Sequence, residues 1–326
     1  MSLKYRLLSL LEQAGQADVS GNELAELLSV SRSAIWKAVE SLRAEGYEIA
    51  AVTNRGYRLV GSGDVFSNEE ILRRLKSPGV FTIETRKRVT STNTVLRELA
   101  AIGVPEGYVI AAEEQTAGKG RLGRGFHSPA GCGAYFSLLL RPGPKSGETS
   151  LITSAAAVAV ARAIDEVFNI RAGIKWVNDL YVGDKKVCGI LTEATMDMES
   201  GSIDNAVLGV GINITKPETG YPEDIGDVAS SLISEKGGKD SGRCRLIASV
   251  LDNFWMIYLN LSKREFLDEY RERSIVLGRD ILVLSARDTK PAHALAIDDE
   301  CRLIVRYENG ETATLGTGEV SVRPIT

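Results

Sequence analysis

Gly107-Tyr108-Val109-Ile110-Ala111-Ala112, followed by Gln115-Thr116-Ala117-Gly118-Lys119-Gly120-Arg121-Leu122-Gly123-Arg124-Gly125, decides how the middle of this 326-residue chain is read. The first run is β-prone, and from Gly118 the second interleaves four glycines with three cations. Gly118-x-Gly120-x-x-Gly123 fits the spacing of a dinucleotide-binding fingerprint, but that fingerprint needs a helix directly after it and an acidic residue about 20 positions on. Here Pro129 and Gly131 lead instead into another β-prone run over 134–140, and no Asp or Glu occurs from Thr116 to Gly147. That window holds five cations, Lys119, Arg121, Arg124, Arg141 and Lys145. Backbone N–H groups of a glycine-rich loop can approach phosphate oxygens while interleaved Arg and Lys neutralise their charge. A phosphorylated ligand, a nucleic-acid backbone and a plain solvated loop all fit these residues. No Gly-x-x-x-x-Gly-Lys-[Ser/Thr] occurs, which disfavours P-loop hydrolysis.

Downstream lies Ile174-Lys175-Trp176-Val177-Asn178-Asp179-Leu180-Tyr181-Val182. A lysine between Ile and Trp in a β-prone run is partly shielded, and its charge is expensive there unless an anion meets it. Asn178 and Asp179 suit either Mg²⁺ or ordinary turn chemistry. Gly183-Asp184 predicts a hairpin into residues 185–193, and a third run spans 207–214. Glycines inside these strands (Gly189, Gly209, Gly211) mark places where a ligand or a neighbouring strand comes close to the backbone.

Upstream, Leu7, Leu8 and Leu11 recur at helical spacing, and Ser20-Gly21-Asn22-Glu23 offers a capping box before a helix over about 21–28. Ser31 caps a third helix whose buried stripe is Ile35, Val39 and Leu42, leaving Arg32, Ser33, Trp36, Lys37 and Glu40 on the open side. Residues 46–60, with a turn at Asn54-Arg55-Gly56, read as a hairpin carrying Arg55 and Arg58. The whole resembles a winged helix-turn-helix, with a protein-interaction module as the alternative. Ser31, Arg32, Ser33, Lys37 and Arg55 are its candidate DNA contacts. Residues 1–62 hold seven Lys/Arg against seven Asp/Glu, so one copy has little electrostatic footprint and a dimer is expected to present two.

At the other end, residues 241–274 read as helical, and beyond Gly278 five short strands (281–284, 292–297, 303–307, 312–315, 320–322) suggest a small SH3-like barrel leaning on the middle of the chain. The fold class expected is α+β: a winged helix-turn-helix over 1–63, a mixed β-sheet with helices over 64–275, and the small barrel over 276–326. Composition excludes other classes. The chain is 44% hydrophobic and 25% charged with net charge −4, values typical of a globular fold with no general attraction to nucleic acid or anionic membranes. Its longest mostly apolar run, 151–160, is far short of the ~18 residues of a membrane span. Together with a start that lacks a secretory signal, this sets the expectation of a cytoplasmic protein without membrane partners. Cys132, Cys188, Cys244 and Cys301 have no metal or redox spacing and read as buried thiols. Only His127 and His293 occur, with no Gly-x-Ser-x-Gly or His-Glu-x-x-His.

Five motifs now stand in order: Ser91-Thr92-Asn93; Gln115-x-x-Gly118-Lys119-Gly120-Arg121-x-Gly123-Arg124; Lys175-Trp176-x-Asn178-Asp179; Lys186-x-x-Gly189-Ile190-Leu191; and Gly209-x-Gly211-Ile212-Asn213. Together they resemble the biotin protein ligases, and with both flanking units the chain resembles their bifunctional form, which is also the biotin operon repressor. Two departures stand out, Lys119 where the family loop usually has Arg and Val177 where it usually has Pro. Lys119 keeps the charge and loses the bidentate fork. The resemblance implies that biotin is bound by Ser91, Thr92, Asn93 and Gln115 at its ureido ring, with Lys119, Gly120 and Gly189 nearby. It implies that Arg121 and Lys175 are catalytic, bracketing the biotin carboxylate and the ATP α-phosphate. The adenylate loop would comprise Gly118, Lys119, Gly120, Arg121, Gly123, Arg124 and Phe126, the last covering adenine, with Lys186 and Asn213 beside it. Mg²⁺ would sit on the triphosphate near Asn213, and the loop would act as a flexible lid over biotinyl-5′-adenylate. Implied partners are a biotin carboxyl carrier domain with its acceptor lysine, operator DNA and a second copy in a ligand-promoted homodimer. A ligand-sensing regulator without ligase chemistry and a lipoate or octanoate ligase are the competing readings.

Overall fold

The computed structural model describes residues 2–53, 55–61, 64–142, 146–196, 203–233, 242–285, 288–316 and 321–324; Asn54, Gly63 and Lys145 lie outside them. The chain begins with α1 (Leu3–Ala14), α2 (Gly21–Leu28), α3 (Arg32–Ala44), β1 (Glu48–Val52) and β2 (Gly56–Gly61). Ser20 Oγ accepts from Glu23 N at 3.1 Å, and Ser31 Oγ accepts from Ala34 N at 3.2 Å, so both expected N-caps form. The α2–α3 turn passes through Ser29 in the left-handed region, with φ 56°. Leu7, Leu8, Leu24, Ile35, Val39 and Leu42 are fully buried and form a core belonging to this head alone. β1 and β2 pair antiparallel as the wing. Gly56 admits no other residue, because its φ is +116° and a Cβ would lie 2.0 Å from Val19 O.

α4 (Asn68–Arg74) joins the head to the middle of the chain. Its Glu70 is buried and accepts from Tyr47 OH at 2.7 Å and from Arg74 Nε at 2.6 Å, while Arg73 Nη2 reaches Glu12 Oε1 at 2.9 Å. Four charges and a phenol therefore tie the head down.

Then follow β3 (Thr82–Val89), α5 (Thr92–Ala101), β4 (Tyr108–Gln115), β5 (Gly133–Leu140), α6 (Ser146–Phe168), β6 (Gly173–Lys175), β7 (Asp179–Val182), β8 (Lys185–Met196), β9 (Ile203–Asn213), the short α7 (Glu223–Gly226), α8 (Arg243–Tyr258) and α9 (Phe266–Glu272). The seven strands form one mixed sheet in the order β3-β4-β5-β9-β8-β7-β6. β3 and β4 are parallel, joined by the α5 crossover, and every other pair is antiparallel. One face buries Ile110, Leu139 and Val207 against Val95 and Leu96 of α5. The opposite face packs α6 and α8. The apolar run at 151–160 is the buried middle of α6, and among the described residues no helix is long and apolar enough to cross a membrane. The helical stretch expected over 241–274 is interrupted by a 3₁₀ turn at Leu261–Lys263 with Arg264 at φ 59°.

β10 (Asp280–Leu284), β11 (Thr289–Ile297), β12 (Leu303–Tyr307), β13 (Thr312–Leu315) and β14 (Ser321–Pro324) make a small antiparallel sheet in the order β13-β12-β11-β10-β14. Asn309-Gly310 makes the β12–β13 hairpin turn, with Gly310 at φ +83°. Ile281, Val283, Ala294 and Val305 are continuous with the core under α6 and α8, so this sheet completes its interior with the central unit.

Candidate active site

The polar triplet opens α5. Ser91, Thr92 and Asn93 are all buried, at the end of β3 where α5 begins. Gln115, the last residue of the neighbouring β4, accepts at Oε1 from Thr92 N (2.9 Å) and Thr92 Oγ1 (3.1 Å) and donates from Nε2 to Ser128 Oγ (2.9 Å). Ser137 Oγ lies 2.7 Å from Thr92 Oγ1 and donates to Asn93 Oδ1 at 2.6 Å. Asn93 Nδ2 donates to Glu193 Oε2 at 2.8 Å. Ser137, Ser128 and Glu193 belong to none of the five sequence motifs and join the site only through the fold. A lone serine in the apolar run 134–140 was the available signal for Ser137, since a fully buried hydroxyl demands a partner.

The glycine-rich loop follows β4 and closes on itself. Gly120 N donates to Arg124 O at 2.7 Å, Phe126 N donates to Gly118 O at 2.8 Å, and Lys119 bridges Gly125. Leu122 and Gly123, at φ 55° and 73°, turn the chain at its tip. The loop expected to act as a lid takes the form of a hydrogen-bonded hairpin. A side chain at Gly118 would place Cβ 2.4 Å from Phe126 O.

Phe126 answers the question posed by the strand glycines. Gly189 of β8 and Gly211 of β9 face each other in register, and the Phe126 ring lies across both. A Cβ at Gly211 would sit 2.5 Å from Phe126 Cε1, and one at Gly189 3.2 Å from Cε2. Tyr135 meets the ring edge to face at 6.5 Å. Gly209 serves the polar triplet instead, since a Cβ there would fall 2.1 Å from Asn93 Oδ1.

Between this loop and β8 runs a cleft of about 600 Å³, lined by Lys119–Arg124, Thr153, Val177 and Ile190–Glu193. Arg121 Nη1 donates to Asn178 Oδ1 at 3.1 Å, and Asn178 Nδ2 donates to Ile190 O at 2.8 Å. Burial pulls the Arg121 pKa below its ordinary value, against the pull of nearby Asp179. Asp179 holds Lys186 at 2.7 Å. Asn178 and Asp179 therefore fix two cations, a use beyond turn-forming. Lys175 pairs across β6–β7 with Asp179, and its Nζ lies 3.4 Å from Tyr181 OH rather than on the cleft wall beside Arg121. Asn213 is buried, and its Nδ2 donates to Ser230 O at 3.0 Å, pinning the segment that follows β9. Among the described residues no three His, Cys, Asp or Glu side chains gather as a metal site.

A profile of the Biotin/lipoate A/B protein ligase family matches residues 85–213, which span the triplet, the loop and the paired glycines. A helix-turn-helix profile matches 4–58, and the Biotin protein ligase C terminal domain matches 276–323. The bifunctional ligase/repressor BirA of Bacillus subtilis is 35% identical over 314 residues, 95% of each chain. The chain belongs to the biotin protein ligase family. The BirA of Escherichia coli is 33% identical over 66% of this chain and 70% of its own. Among solved structures, the biotin protein ligase of Aquifex aeolicus in complex with biotin and ATP superposes with a TM-score of 0.64 at 29% identity, covering 75% of this chain and 99% of that one. Within the ligase fold, the positions that depart from the usual motifs remain structured: Lys119 lines the cleft and Val177 O accepts from the buried Tyr270 OH at 3.0 Å.

Proposed function

We propose that this bifunctional biotin ligase and repressor activates biotin with ATP, transfers the biotinyl group to a carrier lysine, and uses its winged head on operator DNA. The observation that carries this reading is the continuous polar network of Thr92, Asn93, Gln115 and Ser137 beside the cationic hairpin and its cleft. Ser91, Thr92, Asn93 and Gln115 are assigned to the ureido ring, whose N–H and C=O groups need partners once buried. That polarity suits a ureido head better than the apolar tail of lipoate or octanoate. The units are assigned as 1–63, 64–275 and 276–326, in line with a head that has its own core and a terminal sheet that shares one.

The chemical obstacle is repulsion between a carboxylate and a phosphate. At about 4 Å and an effective dielectric near 20, each like-charge pair costs ~4 kcal/mol, which one well-placed cation offsets. Arg121, fixed by Asn178 at the cleft, is assigned to the α-phosphate and the attacking carboxylate. Lys175 joins it by exchanging its contact with Tyr181 for the anion. The carboxylate oxygen attacks the α-phosphorus, pyrophosphate leaves, and the mixed anhydride lies under the 118–126 hairpin, away from water. The carrier lysine, as free amine, then attacks the acyl carbon and expels AMP. Phe126, on its glycine platform, is assigned to stack on adenine, with Gly118, Gly120, Gly123, Arg124, Lys119 and Lys186 around the phosphates. Asn213 is buried and bonded to Ser230, so we assign Mg²⁺ to the incoming MgATP, where it neutralises phosphate charge. A homodimer would pair two heads on a two-fold operator, with Ser31, Arg32, Ser33, Lys37 and Arg55 as DNA contacts.

Pyrophosphate exchange with MgATP, comparing biotin, lipoate and octanoate, tests the reading. Exchange with biotin alone is expected, and exchange with lipoate or octanoate but not biotin would overturn it. Arg121→Ala and Lys175→Ala are each expected to abolish exchange with the thermal transition unchanged; near-normal exchange in either variant refutes that residue's role.

A further inference from the structure

The head leaves a large aromatic side chain more than half in water. Trp36, on α3, is 55% exposed, whereas Ile35, Val39 and Leu42 of the same helix are fully buried. Leaving so much indole in water is unfavourable, and a tryptophan at the surface of a small head signals a contact made elsewhere. Its neighbours define the kind of contact. Arg32 and Ser33 lie one turn before it at helical spacing and Lys37 follows it in sequence on the adjoining part of the open side, and all three are exposed. Glu40, one turn on, is drawn aside by Arg43 at 2.7 Å. Lys4, Arg43, Arg55 and Arg58 are each paired with a carboxylate of the head, and among the described residues no ion pair involves Arg32 or Lys37. An apolar ring framed by two cations and a hydroxyl is unlike a protein–protein core, where lysine is depleted. It is complementary to a major groove, which offers phosphates at its walls and thymine methyl groups on its floor.

Charge count strengthens the point. With seven cations against seven carboxylates in residues 1–62, counterion release gives this head little affinity, and each phosphate contact adds only about one unit to the salt slope. Discrimination must then come from contacts that do not depend on net charge.

Resting on the reading of the head as operator-binding, we propose that Trp36 is a base-reading residue that covers thymine C5-methyl groups in the major groove. Arg32 and Lys37 hold the helix on the phosphates, and Trp36 supplies the apolar contact that selects thymine. Burying one methyl group is worth about a fourfold change in affinity per half-site.

The test uses the full chain with biotin and MgATP. Duplexes enriched by the wild-type chain from a random-sequence library serve as probes, and each thymine in turn is replaced by uracil, which removes only the methyl group. At one or two positions per half-site, uracil is expected to weaken wild-type binding about fourfold. Trp36→Ala is expected to bind more weakly and to lose that sensitivity, Trp36→Phe to keep part of it, and Lys37→Ala to keep all of it while lowering the salt slope. An equal uracil effect in wild type and Trp36→Ala would overturn the inference. So would loss of DNA binding in Trp36→Ala that sedimentation velocity traces to a lost dimer. Failure of the wild-type chain to enrich any sequence, with pyrophosphate exchange intact, would instead remove the repressor reading and this inference with it.

Discussion

Gly209 shows how a single missing methyl group shapes the site. A Cβ there would fall 2.1 Å from Asn93 Oδ1, so Gly209→Ala must push the Asn93 amide off its bonds to Ser137 and Glu193. A buried amide left partly unsatisfied costs about 1–3 kcal/mol, so the biotin KM is expected to rise roughly tenfold or more. The ATP KM should stay within about twofold, because Asn93 is assigned to the ureido ring and not to ATP. Steady-state kinetics with each substrate varied in turn checks the split, and a selective change in ATP KM would misplace the triplet. Gly211 predicts the opposite pattern. Its Cβ would strike the Phe126 ring at 2.5 Å, so Gly211→Ala should raise the KM for ATP and spare that for biotin. The cysteines play no part at this scale. All four are buried and free, and burial pushes the Cys188, Cys244 and Cys301 thiols up, that of Cys301 to about 11, so these three are not thiolates near neutral pH.

At the scale of elements, α9 is held to α6 by charge. Burial alone would raise the Glu269 carboxyl, but hydrogen bonds from Arg162 and Arg273 outweigh it and hold the pKa below its ordinary value. A depressed carboxylate contributes stability that is present above its unfolded pKa, near 4.3, and lost as pH falls through the folded value. The wild-type melting temperature should therefore fall through this window, and Glu269→Gln should be less stable at neutral pH with a shallower acid limb. Parallel limbs would show that the α9 pair carries no linkage. Elements whose signals are local were legible in the sequence. Ser20 and Ser31 cap the helices they were expected to cap, Gly183-Asp184 turns β7 into β8, and the four hairpin strands after Gly278 lie within a few residues of expectation. Contacts between distant segments were not legible. Nothing near Gly211 in sequence says that Phe126, 85 positions away, will lie on it. The closure of the 118–126 loop rests on backbone bonds, Gly120 N to Arg124 O and Phe126 N to Gly118 O, which carry no side-chain signal.

The whole molecule couples its parts unequally. The head has a separate core and meets α4 through Tyr47, Glu12, Glu70, Arg73 and Arg74, whereas the terminal sheet has no interior of its own. Trp176, in the strand-end motif beside Lys175, donates from Nε1 to Cys301 O at 2.8 Å in the β11–β12 turn of the terminal unit. Removing residues 1–63 would leave Glu70 paired with Arg73 and Arg74, a surface able to meet water. Removing residues 277–326 would strip Ile281, Val283, Ala294 and Val305 from the shared core and leave the Trp176 indole N–H without its acceptor. Each buried Ile or Val side chain lost this way is worth about 1.5–3 kcal/mol and the Ala294 methyl about 0.8 kcal/mol, a sum that is comparable to the whole stability of a domain. Calorimetry is therefore expected to find one cooperative transition in chain 64–326, close to the main transition of the full chain, and in chain 1–276 no transition of the central unit, only that of the head with its own core. A cooperative transition in chain 1–276 at the full-chain temperature would mean that the central sheet closes its own core. Trp176→Phe separates positioning from stability: it keeps a smaller aromatic ring in the core, loses the bond to Cys301, and is expected to lower kcat for pyrophosphate exchange more than it lowers the melting temperature. If Lys175 is aimed by the terminal sheet through Trp176, the activity loss should exceed what partial unfolding explains at the assay temperature.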